Sequence, residues 1–163
     1  MKALLVQPRV TGAHRFFAMQ QSMPPMALGY LAAVLCSRDV ETHILDLNVR
    51  DLNRTQFADF LAAGNFDLVG VSVNTETAGN SYLACRFAKA VRPDTVTVVG
   101  GPHVTFRAEE ALASGVVDYV VLGEGEATLA ELVDLLRGTT ADPVAIAGLA
   151  FMLHGWGKIQ NPF

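Results

Sequence analysis

The residues best able to do chemistry in this chain sit just after apolar, β-branched runs. "VVGGPHVT" (Val98–Thr105) ends such a run with Gly100 and Gly101 and continues through Pro102 and His103. Paired glycines remove every Cβ there, which suits either a tight turn or the close approach of a flat ligand to bare backbone. A histidine beside them can ligate a metal or simply complete a turn by hydrogen bonding. "GEGEAT" (Gly123–Thr128) repeats the pattern, and the amides of Gly123, Glu124 and Gly125 open onto a helical stretch. Such amides donate to phosphate or carbonyl oxygens. Glu124 and Glu126 make an anion less welcome than a neutral hydrogen-bonding ligand, although Glu126 also suits the positive end of a helix. "SVNTET" (Ser72–Thr77) adds Ser72, Asn74 and Thr75, of which helix capping accounts for one or two.

These clusters need a scaffold that brings them to one edge. Apolar runs at 3–6, 42–47, 68–73, 95–99 and 119–122 alternate with helical patterns at 25–37, 55–63, 77–91, 106–113 and 127–137. Near-continuous hydrophobic strands signal a parallel sheet covered on both faces. Asn53 with Gln56 reads as a capping box and Thr105 as an N-cap, while Gly64, Gly115 and Gly138 follow helix ends. Five βα units predict an α/β, flavodoxin-like (Rossmann-like) doubly wound sheet of five parallel strands, order 2-1-3-4-5. Ligands of such sheets bind outside the carboxyl ends of the strands. The loops expected there are 8–24, 48–53, 74–76, 100–104 and 123–126. The first is long and carries His14, Arg15, Phe16, Phe17 and Met19, as a lid or as a packing segment. Two apolar runs around Gly155-Trp156-Gly157 predict a C-terminal β-hairpin. His43 and His154 read as structural, and His14 takes no assigned role.

Composition removes several functions. With 163 residues, 51% of them hydrophobic and only 17% charged, the chain fits one densely packed domain. A net charge of −4 without any basic block argues against nucleic acid or an anionic membrane as partner. The longest apolar stretch, Pro24–Cys36, is too short to span a bilayer, and the N-terminus lacks the features of a signal peptide. Cys36 and Cys85 lack metal-site spacing and read as two reduced core thiols in a cytoplasmic protein. The first strand leads into "QPRVTGAHRFF", so there is no dinucleotide-binding glycine turn, and no triphosphate loop occurs. A phospho-receiver site fails as well, because Gln7-Pro8, Ser72-Val73 and Leu122-Gly123 stand where its acidic residues and lysine belong.

"PPMALGYLAAVL", "FDLVGVSVNT", "VVGGPHVT", "DYVVLGEGEATLAELV" and "IAGLAF…GKIQNP" follow one another in register. Together they resemble the N-terminal cobalamin-binding domain of cobalamin-dependent radical S-adenosylmethionine enzymes, a group with methyltransferases and the anaerobic magnesium-protoporphyrin monomethyl ester cyclase. The resemblance implies a corrin on the carboxyl edge of the sheet and a nucleotide tail inserted between sheet and helix. It implies that Ser72, Asn74 and Thr75 line the tail or corrin rim. Gly100, Gly101 and Pro102 would let the tail or ring approach the backbone with His103 beside them in the cofactor site, and Gly123, Glu124 and Gly125 would bond corrin amides.

Two departures shape the expectation. The Asp-x-His-x-x-Gly run that supplies a cobalt-binding histidine in methionine-synthase-like domains is missing, since the loop reads Ala13-His14-Arg15-Phe16. Cobalamin is therefore expected base-off, without a histidine ligand. The Cys-x-x-x-Cys-x-x-Cys cluster of the radical domain does not occur either. The iron–sulfur cluster and S-adenosylmethionine are thus expected in a downstream domain, in cis or in trans. Residues 1–140 are expected to form the cobalamin-binding unit, and 141–163 a hairpin and linker towards that domain. On this reading the chain is a truncated piece or a split subunit, not catalytic alone, whose cobalamin serves as methyl donor or electron carrier. A non-binding scaffold of the same family and a free-standing flavodoxin-like enzyme are the alternatives. For the latter, no nucleophile–base pair stands out.

Overall fold

In the computed structural model, which describes residues 1–10, 24–139, 142–153 and 157–160, the apolar runs become the strands of one sheet. They are β1 (Lys2–Gln7), β2 (Glu41–Asp46), β3 (Leu68–Ser72), β4 (Val96–Gly100), β5 (Tyr119–Val121), β6 (Leu149–Leu153) and β7 (Gly157–Gln160). Their order is β2-β1-β3-β4-β5-β6-β7. The five parallel strands take the expected order 2-1-3-4-5. The hairpin differs from expectation in joining the sheet: β6 pairs antiparallel with β5, and β7 with β6. Leu149 and Ala150 are fully buried, which explains why this segment does not stand apart. Its turn, with His154, Gly155 and Trp156, lies outside the described residues, as does most of the long loop with His14, Arg15, Phe16, Phe17 and Met19.

The helices are α1 (Met26–Ser37), α2 (Arg54–Gly64), α3 (Ala78–Val91), α4 (Pro102–Phe106), α5 (Ala108–Ala113) and α6 (Glu126–Leu136). Side chains alternate across a strand, so each face gathers its own core. One core joins Leu5, Leu68 and Val98 to Leu28 and Leu35 of α1 and to Leu129, Leu132 and Val133 of α6. The other joins Val69, Val71 and Val99 to Phe57 and Leu61 of α2, Ala84 and Cys85 of α3, and Ala111 and Leu112 of α5. This doubly wound arrangement leaves the strand ends, and the loops beyond them, at one rim.

Local chemistry sets the helix ends. The Asn53–Gln56 capping box forms with both bonds, at 2.9 and 3.0 Å. Thr105 is not an N-cap: it lies inside α4, because Pro102 starts a helix directly after Gly101. The stretch expected as one helix over 106–113 is two, broken at Arg107, whose φ of −131° is not helical. A second correction concerns the thiols. Cys85 is buried, whereas Cys36 is exposed on the outer face of α1. That helix carries no charged residue, so apolar composition alone did not separate its inner from its outer face. Burial, aided by the nearby Asp118 carboxylate, pushes the Cys85 thiol up to about 12. A thiol-reactive dye at pH 8 should therefore label Cys36 rapidly and Cys85 only after denaturation. Equal labelling of both in the folded protein would contradict this core.

Candidate functional site

At the carboxyl ends of β3 and β4, the face turned towards α1 and α6 runs out of side chains. Alternation puts Gly70 and Ser72 of β3 and Gly100 of β4 on this face, and the register sets Ser72 opposite Gly100 and Gly100 opposite Val121. Opposite them stand Ala27, Leu28 and Leu31 of α1 and Leu129 of α6. Between sheet and helices a cleft with about 120 Å³ of interior space opens to solvent at the rim. Among the described residues its walls are aliphatic and glycine with Ser72, without an aromatic side chain, and its mouth is formed by Gly101 and by Gly123–Glu126. A ligand entering it meets an apolar slot first and backbone polar groups at the mouth, the usual layout of a small-molecule site.

The two glycines of "VVGGPHVT" serve different ends. A Cβ built on Gly100 would meet nothing closer than 3.5 Å, so this position leaves open floor. Gly101 has φ +118°, and a Cβ there would lie 2.9 Å from the Val73 carbonyl oxygen. Its bareness lets two strand ends cross: the Val73 N–H donates to Gly100 O at 2.8 Å, and the His103 N–H donates to Val73 O at 3.2 Å. Of the two readings of the pair, the turn belongs to Gly101, while Gly100 leaves open space. Gly125 is bare for a third reason, since a Cβ would stand 3.1 Å from Val121 Cγ1 and 3.3 Å from Leu31 Cδ2.

Of the expected site residues, Ser72, Gly100, Gly101, Gly123, Glu124 and Gly125 line the cleft. Asn74, Thr75, Pro102 and His103 do not; they stand beside it. His103 Nδ1 lies 3.2 Å from Thr75 Oγ1 and its Nε2 3.4 Å from Glu110 Oε1, which ties the loop after β3 to α4 and α5. Among the residues of "SVNTET", Thr77 is used up locally: its hydroxyl accepts from the Asn74 N–H at 3.1 Å and is buried. The loop after β2 is directed elsewhere, with Asn48 and Asp51 binding Val10 and Arg9 at the start of the long loop. His43 sits on the edge strand, 2.9 Å from Glu41. Among the described residues no three His, Cys, Asp or Glu side chains gather as a metal site.

Sequence reasoning missed Gly70 and the α1 contribution. The glycine in "LVGVS" is a signal of close approach inside a strand. The α1 residues carry no local signal, because Ala27, Leu28 and Leu31 read as ordinary core.

Fold and cleft together define a flavodoxin-like domain with a largely apolar cleft between its sheet and α1. Residues 17–133 match the B12 binding domain family, and the chain belongs to that family. It is 33% identical over 162 residues to an uncharacterized methyltransferase of Pyrococcus horikoshii, covering 99% of this chain and 34% of that protein. It is 29% identical to the anaerobic magnesium-protoporphyrin IX monomethyl ester cyclase of Rubrivivax gelatinosus, over 99% of this chain and 30% of that enzyme. The radical S-adenosylmethionine methyltransferase TsrM of Kitasatospora setae, solved with cobalamin and a 4Fe-4S cluster bound, has the same fold. Its TM-score is 0.78 at 24% identity, over 99% of this chain and 28% of that one. The radical enzyme OxsB with aqua-cobalamin bound gives a TM-score of 0.79 at 17% identity, over 99% of this chain and 22% of that one. The chain thus spans about a third or less of the length of the proteins it matches.

The split between the two glycines is measurable. Gly101→Ala should lower stability by about 1–3 kcal/mol, from backbone strain and the clash with Val73. Gly100→Ala should change it by less than about 1 kcal/mol, because its Cβ finds ordinary contacts. Urea melts of the two variants would decide, and equal losses would contradict the distinction.

Proposed function

We propose that this domain holds cobalamin at the carboxyl edge of its sheet, in the base-off form and without a histidine on cobalt. The nucleotide arm would enter the cleft between Gly70, Gly100 and α1, and the corrin would lie over the loop ends. The observation that carries this reading is the strip of small residues Gly70, Ser72 and Gly100 facing an aliphatic wall, with open floor at Gly100 and an opening at the rim. Its chemistry suits the group: the arm ends in a neutral, flat benzimidazole, which an apolar slot takes up without leaving buried charge unpaired. The corrin periphery bears amides, for which Ser72, Thr75, the Gly123 carbonyl and the backbone of Glu124 and Gly125 are the available partners. Pro102 and His103 would stand at the ring's margin.

When bound, cobalamin supplies a cobalt that carries a methyl group or an electron. The chain's own part is placement and access. Gly100 leaves room, Gly70 lets the Leu5 side chain lie close against the strand below it, Leu28 and Leu31 exclude water from the slot, and the loop amides fix orientation. We place the catalytic steps in a radical S-adenosylmethionine domain, fused or separate, that holds the iron–sulfur cluster. Members of the family as different as a phosphonate methyltransferase of Streptomyces wedmorensis and the cyclase support a shared role upstream of the final substrate. Among the described residues no helix is long and apolar enough to cross a membrane. The unpaired thiols of Cys36 and Cys85 fit a reducing compartment such as the cytoplasm.

The test is direct. Purified chain mixed with hydroxocobalamin and desalted should retain colour with a base-off spectrum, and after reduction to Co(II) its paramagnetic resonance should lack splitting from an axial nitrogen. Gly100→Leu should fill the slot and weaken retention at least about a hundredfold while leaving circular dichroism unchanged. Colourless wild-type protein at high cofactor concentration would overturn the reading in favour of a scaffold role.

A further inference from the structure

The mouth of the cleft is made by two loops from neighbouring strands, and one side chain bridges them. Thr105 Oγ1 donates to the Gly101 carbonyl at 3.1 Å and accepts from the Gly123 N–H at 3.1 Å. Gly101 and Gly123 both line the cleft, whereas Thr105 itself does not. Both glycines have left-handed backbone, φ +118° and +63°, so neither loop is held in place by an ordinary extended or helical conformation. A hydroxyl is the side-chain group that meets both needs, since it offers one donor and two acceptor positions at a single atom. Thr105 is itself fixed from below, because its N–H also donates to Gly101 O, at 3.2 Å, and its neighbour Val104 is fully buried.

We propose that Thr105 is a positioning residue for the cofactor: its hydroxyl ties the loop after β5 to the loop after β4 and so sets the width of the cleft mouth and the aim of the Gly123–Gly125 backbone. This rests on the cobalamin reading above for the identity of the ligand, but the tether belongs to the chain alone. Without the hydroxyl, Gly123 loses its partner and the loop its register with Gly101. The ligand must then order that loop on binding, which lowers affinity although Thr105 itself does not line the cleft.

Three proteins test it, wild type, Thr105→Val and Thr105→Ser, with hydroxocobalamin as the probe and amide hydrogen exchange as a second readout. Valine keeps the shape and removes both bonds, while serine keeps both. The Gly123 amide should exchange slowly in ligand-free wild type and Thr105→Ser. In Thr105→Val it should exchange at least about tenfold faster, with hydroxocobalamin affinity about tenfold lower and the far-ultraviolet spectrum unchanged. An unprotected Gly123 amide in wild type would overturn the tether, and this outcome does not depend on whether the valine variant folds. Wild-type affinity in Thr105→Val, or a serine variant as weak as valine, would overturn the positioning role. Failure of wild type to take up hydroxocobalamin would instead overturn the cofactor reading, with the exchange rates still deciding the tether.

Discussion

A flat group can lie between a sheet and its covering helix only where the sheet presents no side chains, and close-packed interiors rarely leave such a strip empty. Here the strip exists because Gly100 leaves open floor, Ser72 beside it is small, and on the same face Gly70 lets Leu5 lie close to the backbone, where a Cβ would stand 2.8 Å from Leu5 Cδ2. Everything else in the site follows from that coincidence of register. A one-residue slip of β4 against β3 would turn Val99 into the cleft and Gly100 into the opposite core. The parallel register is held at the far edge of the sheet, where the Asp67 carboxylate accepts from the Lys2 N–H at 2.7 Å and from Arg92 at 3.0 Å. Apolar core on both faces fixes the rest.

The same constraint explains why the neighbouring glycine is present for another purpose. Bare floor at Gly100 is useful only if the chain leaves the strand without covering it. Gly101 achieves this by crossing over Val73 with a backbone that L-residues avoid, and Pro102 then starts α4 away from the cleft. Thr105 carries the geometry sideways to the loop after β5. Vacancy, exit and tether are therefore three consecutive functions of one eight-residue stretch. The aliphatic wall of α1 completes the slot from a part of the chain some seventy residues earlier in sequence.

How much of this was legible in the sequence follows from which signals are local. The βα alternation, the five-strand order and the Asn53 capping box rest on period and on side-chain chemistry within a few residues, and the structure has them. The glycine-bearing loops at the carboxyl edge were legible for the same reason. What was not legible depends on tertiary placement. The hairpin's entry into the sheet needed the buried pairing of Leu149 and Ala150 with β5. The split of the helix after Gly101, and with it Thr105's true role, needed the competing pull of Pro102. Cys36 looked like core because α1 is apolar all round, and Gly70 was passed over because its significance lies in what faces it.

On the proposed function, the ligand's flat arm would occupy the slot between Gly70, Gly100 and α1. A titration of isotope-labelled protein with hydroxocobalamin, followed through amide resonances, locates the contact directly. The largest shifts should fall at Gly70, Gly100, Leu28 and Leu31, with smaller ones at Gly123 and Gly125. Shifts confined to the opposite edge around Phe66 and Arg92, or spread evenly over the surface, would contradict it.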